Sequence, residues 1–396
     1  MYRQHSNHLK GGRDMGTNTP ECSKELTAVP CTVLRGGTSK GVFLPEEVVP
    51  EEKTEREKFL LALMGSPDPR QIDGLGGADL LTTKVAIIGK PSRDDADLDY
   101  TFAQVGITQA KVHFDMNCGN ISSAVGVYAV EKGLVPLEEP YTTVRIHNRN
   151  TQTILLAKVP VGDGHARVDG EWAIDGVPGT GAAISLDFRL TAGGATGSLL
   201  PTGHVYDVVD VPELGAVTVS VVDIANLCFV VQAEHVGLKS EDIPRTPGPE
   251  LLFRMDRLQR AVAHLLGISE GQLTPIPIIV APPHDFRTLT DQPFESDAVD
   301  IVSEVIGGQP LTLHKAFPGT ASVTLAVASR IPGTIAYEMA RQNGAKSVRI
   351  GHPSGRMDVD AMVSIENARI QVLQASYQRT ARLIMDGITY LRSARL

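Results

Sequence analysis

Residues 115–131 read Asp115-Met-Asn-Cys118-Gly-Asn-Ile-Ser-Ser-Ala-Val-Gly-Val-Tyr-Ala-Val-Glu131, and the fold turns on how this stretch is read. Ala124, Val125, Tyr128 and Ala129 recur at helical spacing, so one face of a helix is buried. Asn117 or Asn120 can cap its start, and Gly119 lets the backbone turn tightly. The helix is slim, with few polar positions. Such a helix must be covered on all sides, which strands wrapped around it would do. Cys118 stands at its mouth. A thiol there lies beside unpaired backbone N–H groups, which stabilise a thiolate and equally bind a substrate carboxylate. Free cysteines are also among the most buried and inert residues, and the local sequence favours neither role.

The same grammar returns at Phe317-Pro-Gly-Thr-Ala-Ser-Val-Thr-Leu-Ala-Val-Ala-Ser-Arg330, a second small-residue helix behind a Gly-Thr turn. Strands are expected around each: 29–34, 42–44, 82–88, 144–146 and 153–161 in the first half, 217–222, 228–232 and 275–280 in the second. Leu98, Tyr100 and Phe102 alternate with polar residues and predict a half-buried strand. Residues 51–64 form a helix with an acidic start. Leu251, Met255, Leu258, Val262 and Leu265 give the clearest amphipathic helix. A glycine-rich zone, 176–197, reads as the crossing between halves. The organisation is therefore a disordered, dispensable tail over 1–27, a first half over 28–190 and a second over 191–396, in an α+β fold.

The chain has 396 residues, 42% hydrophobic and 21% charged, as in a soluble globular protein. Its net charge of −9 and the lack of a basic run argue against a nucleic-acid partner. No apolar stretch approaches the ~20 residues that span a bilayer. The N-terminus lacks the apolar core of a secretory signal. The four cysteines, Cys22, Cys31, Cys118 and Cys228, are scattered without metal-site or disulfide spacing. That fits a reducing compartment, the cytoplasm. No metal is expected.

Several short motifs fail on inspection. Gly37-Thr-Ser39-Lys-Gly41 matches a serine-hydrolase elbow, but strand-like Val42-Phe-Leu44 follows where a helix is required. Gly74-Leu-Gly76-Gly77 would need a glycine at Asp79 to bind a dinucleotide, and Gly89-Lys90 a glycine at Lys84 to cradle phosphate. Asn120-Ile-Ser122 is a formal glycosylation sequon inside the helix start. What remains is a set of polar turns able to converge on one pocket: Arg35, Ser39 and Lys40, then Gln71, Asp73 and the Gly76–Gly77 backbone. Lys84 lies in the apolar strand Thr82-Thr-Lys-Val-Ala-Ile-Ile88 and shares a face with Ala86, away from Val85 and Ile87. It is either a surface lysine on an edge strand or a buried one usable as a proton carrier.

Arg35-Gly-Gly-Thr-Ser-Lys-Gly41, Gly65-Ser-Pro67, Gln71-Ile-Asp-Gly-Leu-Gly-Gly77, Thr83-Lys84, Asn117-Cys-Gly-Asn120 and Gly351-His-Pro-Ser-Gly355 together resemble the 2-methylaconitate isomerase (PrpF-like) family. The resemblance runs from Val29 to the C-terminus. It implies a diaminopimelate epimerase-like fold, two similar halves each a β-barrel-like sheet around a central helix, with the site in the cleft between them. It implies cofactor-independent isomerisation of a small unsaturated di- or tricarboxylic acid, of the methylaconitate or aconitate type, by moving an allylic proton and double bond or changing cis/trans geometry. The alternatives are a tautomerase of the 4-oxalomesaconate type and a non-catalytic carboxylate-binding protein of the same fold. By resemblance Lys84 and Cys118 are the catalytic pair. No second cysteine stands at Gly319-Thr-Ala-Ser-Val-Thr324, which disfavours a two-thiol mechanism. A dienolate forming on a polyanion needs fixed donors. Arg35, Ser39, Gln71, Gly76, Gly77, Asn117, Gly119, Asn120, Gly319, Thr320 and Ser354 are the expected substrate-binding positions. Asn226-Leu-Cys228 lacks the proline many members carry after the asparagine, a departure expected to loosen that turn. The small polycarboxylate is the expected partner; a homodimer is compatible with the reading.

Overall fold

The structure, a computed structural model, describes residues 23–212, 214–269, 272, 274–308, 310–367 and 369–395. Helix α2 spans Gly119–Glu131, and every residue from Gly119 to Val130 is buried. Small side chains allow this: strands close round a thin cylinder where long ones would hold them off. Helix α4, Gly319–Ala328, is buried at all ten positions for the same reason. Two other helices lie outside the sheet. Helix α1, Lys53–Met64, starts at Glu52, whose side chain accepts from Glu55 N–H, and ends at a left-handed Gly65. Helix α3, Pro249–Leu265, buries Leu251, Met255, Leu258 and Val262. Leu265, expected on that face, is exposed in the last turn.

The two halves repeat one order of pairing. In the first, Leu26–Gly36 pairs antiparallel with Ser39–Pro45, which runs parallel to Lys84–Gly89. That strand pairs antiparallel with Leu98–Val105, which runs parallel to Tyr141–Asn148, itself antiparallel to Thr153–Gly162. In the second, Gly215–Ile224, Asn226–Gln232, Ile276–Ala281, Ile301–Gly307, Ser347–His352 and Gly355–Glu366 follow the same antiparallel–parallel–antiparallel–parallel–antiparallel sequence. A parallel pair needs a crossover, and a helix supplies each one. Helices α1 and α3 make the first crossover of their halves on the outside. Helices α2 and α4 make the second on the inside.

This placement explains a difference from the sequence reading. Leu98, Tyr100 and Phe102 pack in the central cluster with α2, while Ala103 and Val105 pack in the cluster with α1. Leu98–Val105 is thus covered on both faces rather than half-buried. The ends of the chain also differ from expectation. The first strand begins at Leu26, with Leu26 and Thr27 paired to Arg392 and Leu391, so the ordered frame takes in two residues assigned to the tail. Positions 1–22 of that tail lie outside the described residues. Ala381–Arg392 closes the first half by pairing along Leu26–Gly36. Arg369–Arg379 bridges the halves, pairing with Ile184–Asp187 on one side and Gly355–Glu366 on the other. A cut at 190/191 therefore divides paired strands: the second half does not run unbroken to the C-terminus.

Candidate active site

The N-termini of α2 and α4 meet in the centre of the molecule. Asn226 ties them together: its Nδ2 donates to Asn117 O (3.0 Å) and Thr320 Oγ1 (2.8 Å), and its Oδ1 accepts from Asn117 N–H (2.9 Å). The turn expected to be loosened by its missing proline is held by three hydrogen bonds. Tyr377 fills the gap between the helices. A Cβ added to Gly119 would stand 2.1 Å from its hydroxyl oxygen, and one added to Gly319 2.2 Å. These two glycines are required by close approach, not by an unusual φ. The hydroxyl is buried without a hydrogen-bond partner, and burial pushes its pKa upward.

One cavity opens at this junction. Its first-half wall carries Ser39, Lys84, Gln104, Asn117, Cys118 and Gly119, with Asn120 beside them; Gly307, His314, Gly319 and Thr320 line the opposite side. Cys118 is the N-cap residue of α2 and makes no side-chain cap. Neither asparagine caps the helix in the expected way. Asn117 Oδ1 accepts from Ser122 Oγ (3.2 Å), and Asn120 Nδ2 donates to Thr38 Oγ1 (2.9 Å). The first residues of both helices, Gly119 and Asn120 of α2 and Gly319 and Thr320 of α4, line the cavity, and the start of a helix favours negative charge.

Lys84 is buried, 5% exposed, which decides against an edge-strand surface lysine. Its Nζ donates to Gln104 Oε1 (2.7 Å) and lies 5.3 Å from the centre of the Phe102 ring. Gln104 Nε2 donates to Thr83 O (3.0 Å), which fixes the orientation of the amide that holds the lysine. Ser39 is 1% exposed and opens a strand, not a helix, so the hydrolase elbow is absent.

Five expected binding residues serve the frame instead. Arg35 donates from Nη1 to Gly37 O and Thr380 O, each at 2.9 Å, and clamps the turn rather than facing the cavity. Gln71 donates to Ser66 Oγ and Thr83 Oγ1 and accepts from Ala78 N–H. Gly76 packs on the Gln71 amide and Gly77 on Thr82, so this loop buttresses the wall from behind. Ser354 donates to Lys315 O (2.5 Å). Arg35, Gln71 and Ser354 are engaged within the frame, and none of the five lines the cavity.

Sequence reasoning missed Gln104, His314, Tyr377 and Arg379. Gln104 is legible only through strand register, opposite Lys84. Tyr377 and Arg379 lie on the bridging strand, whose return to the centre no local pattern announces. His314 places Nδ1 against Ala316 O, which leaves Nε2 as the acceptor in the neutral ring. Burial, then the charge of Lys84, lowers its pKa to about 3. Burial, then Arg379, lowers that of His352 to about 3. Both rings are therefore neutral in the fold while the unfolded chain protonates near pH 6.5. Between these values the unfolded state binds more protons, so stability is fully present above pH 6.5 and declines as pH falls towards 3. We expect the urea midpoint to drop from pH 7 to pH 4, and His352→Gln to flatten that drop. Parallel midpoint curves for the two proteins would contradict the assignment.

Comparison with known proteins places the chain in a family. The sequence model of the PrpF protein family matches residues 26–392. The chain is 42% identical to a 3-methylitaconate isomerase of Eubacterium barkeri, over 93% of this chain and 98% of the relative. It is 37% identical to a (4E)-oxalomesaconate Delta-isomerase of Novosphingobium sp. strain KA1, over 94% and 100%. It is 33% identical to a 2-methyl-aconitate isomerase of Shewanella oneidensis, over 91% and 96%. The crystal structure of a methylitaconate-delta-isomerase superposes with a TM-score of 0.77 at 41% identity, covering 94% of this chain and 97% of that one. A hydroxyproline epimerase from Agrobacterium vitis shares the fold alone, with a TM-score of 0.54 at 12% identity over 93% of each chain. The chain belongs to the PrpF family and is an isomerase with the diaminopimelate epimerase-like fold.

Proposed function

We propose that this isomerase moves an allylic proton and its double bond within a small unsaturated polycarboxylate, using Lys84 and Cys118 as the proton carriers. The observation that carries the reading is their meeting in one cavity with two helix N-termini. A carboxylate seated on those N–H groups is held by fixed dipoles. One carrier removes the allylic C–H proton. The C–H electron pair forms the new double bond, and the old π pair moves into the conjugated carboxylate as a dienolate. The helix N-termini stabilise that charge. The other carrier returns a proton at the far carbon, so formula and charge are unchanged. Gln104 aims the lysine throughout. A cytoplasmic setting fits the free thiols of Cys31, Cys118 and Cys228.

A methylitaconate-type dicarboxylate ranks first as substrate because that relative is the more similar, ahead of the methylaconitate type expected from the sequence. An oxalomesaconate-type acid is the second reading, favoured by a relative covered along its full length. The test is incubation with methylitaconate, methylaconitate, aconitate and oxalomesaconate in deuterated water, followed by proton NMR. One acid should isomerise and carry deuterium at the receiving carbon. Binding of the acids without exchange of any carbon-bound proton would overturn the reading in favour of a carboxylate-binding protein.

A further inference from the structure

Behind Asn120 lies a second cavity, about 460 Å³, lined by Thr38, Phe317, His352, Met357, Gln378 and Arg379 among others. That volume lies within the range of small-molecule sites. Arg379 is 7% exposed. Its Nε donates to Asn120 Oδ1 (3.0 Å) and its Nη1 to Gln378 O (3.0 Å); Nη2 lies 2.8 Å from Met357 Sδ. Its guanidinium stands 4.5 Å from the centre of the Tyr377 ring. No carboxylate pairs with it among the described residues. The two acids on the cavity wall are engaged elsewhere. Asp175 accepts from Arg356 N–H (2.7 Å), and Asp358 pairs with Arg356 Nε (2.9 Å).

A buried cation without a counter-charge is costly, and a native fold keeps one only where something compensates it. Arg379 is two residues from Tyr377 on the bridging strand, so both side chains project from the same face. It is joined to the reaction cavity through Asn120, whose Nδ2 reaches Thr38 and Ser39. Resting on the isomerase reading above, we propose that Arg379 is the specificity-determining anchor for a second substrate carboxylate, remote from the one held on the helix N-termini. The substrate class is then an acid with at least two carboxylates on a short carbon chain. The planar guanidinium fork suits a carboxylate better than a lysine point charge does. Burial lowers the Arg379 pKa from its usual value, yet the group remains a cation at neutral pH.

Arg379→Met and Arg379→Lys test this, with tricarballylate, a saturated tricarboxylate that cannot isomerise, as the calorimetric probe beside the four candidate acids. The wild type should bind tricarballylate, the methionine variant roughly 10- to 100-fold more weakly, and the lysine variant in between. For the acid that is turned over, KM should rise by a similar factor while kcat stays within roughly threefold. Without ligand, Arg379→Met should melt at or above the wild-type temperature, because it removes an uncompensated buried charge. A lowered melting temperature with unchanged acid affinity would overturn the proposal and make Arg379 a structural residue. Should the methionine variant not fold, unchanged affinity in Arg379→Lys does the same. If tricarballylate binds as expected but no acid is isomerised, the anchor stands and the isomerase reading falls. If an acid is isomerised with unaltered KM in both variants, the reverse holds.

Discussion

Replacing Lys84 with methionine is expected to lower turnover by about 10²–10⁴-fold, the range for removing a general acid or base, while the protein stays folded. Methionine keeps the length and apolar stem of the side chain and loses only the amine. Among the described residues the amine has one hydrogen-bond partner, Gln104 Oε1 at 2.7 Å, and it lies 5.3 Å from the centre of the Phe102 ring. Gln104 keeps its own bond to Thr83 O, so the wall survives with one unpaired amide oxygen, a cost of about 1–3 kcal/mol. Steady-state rates and a thermal melt read both halves of the expectation. Turnover within a fewfold of wild type would remove Lys84 from the chemistry and leave it a wall cation.

Cys118→Ala should lose turnover by at least about a hundredfold for the same reason. Its fold should be unaffected. The start of α2 depends on the Cys118 carbonyl, which accepts from Ser122 N–H (2.8 Å) and Ser122 Oγ (3.0 Å), and not on the thiol. The backbone there is extended, with φ −121° and ψ 99°, which alanine adopts freely. The described thiols differ in setting. Cys228 is fully enclosed and burial pushes its pKa up to about 12, and burial raises that of Cys31. Cys118 lines the cavity. Iodoacetamide should therefore label Cys118 ahead of Cys31 and Cys228, and bound substrate should slow that labelling. Near-normal turnover of the alanine variant would make the thiol structural and shift the second proton to His314 Nε2 or a water beside it.

What was legible in the sequence was what short-range pattern records. Two runs of small residues announced two buried helices, because nothing bulkier lets strands close round them. The alternation of Lys84 with Val85 put the lysine on the same face as Ala86, and the structure places Ala86 in the central cluster and Val85 in the outer one. What stayed illegible depends on register and long return paths. Arg35 was read as a carboxylate anchor because it is a cation in a glycine-rich turn. Its guanidinium instead satisfies carbonyls exposed by that turn, one of them Thr380, far along the chain. The cation that does stand behind the cavity, Arg379, ends the strand Arg369–Arg379, which carries no local motif to single it out. The alternation of Leu98, Tyr100 and Phe102 misled for a related reason: an outer helix covers the face that polar residues seemed to leave open.

The central claim is that Lys84 and Cys118 pass one proton between two substrate carbons. It is tested most directly by following deuterium entry into remaining substrate and product for wild type, Lys84→Met and Cys118→Ala, on whichever acid the wild type isomerises. The account predicts an asymmetry. The variant lacking the abstracting base neither exchanges the allylic proton nor makes product, whereas the variant lacking the returning acid still exchanges the allylic proton while product formation collapses. Product formed at wild-type rates with deuterium at the receiving carbon in either variant would contradict it.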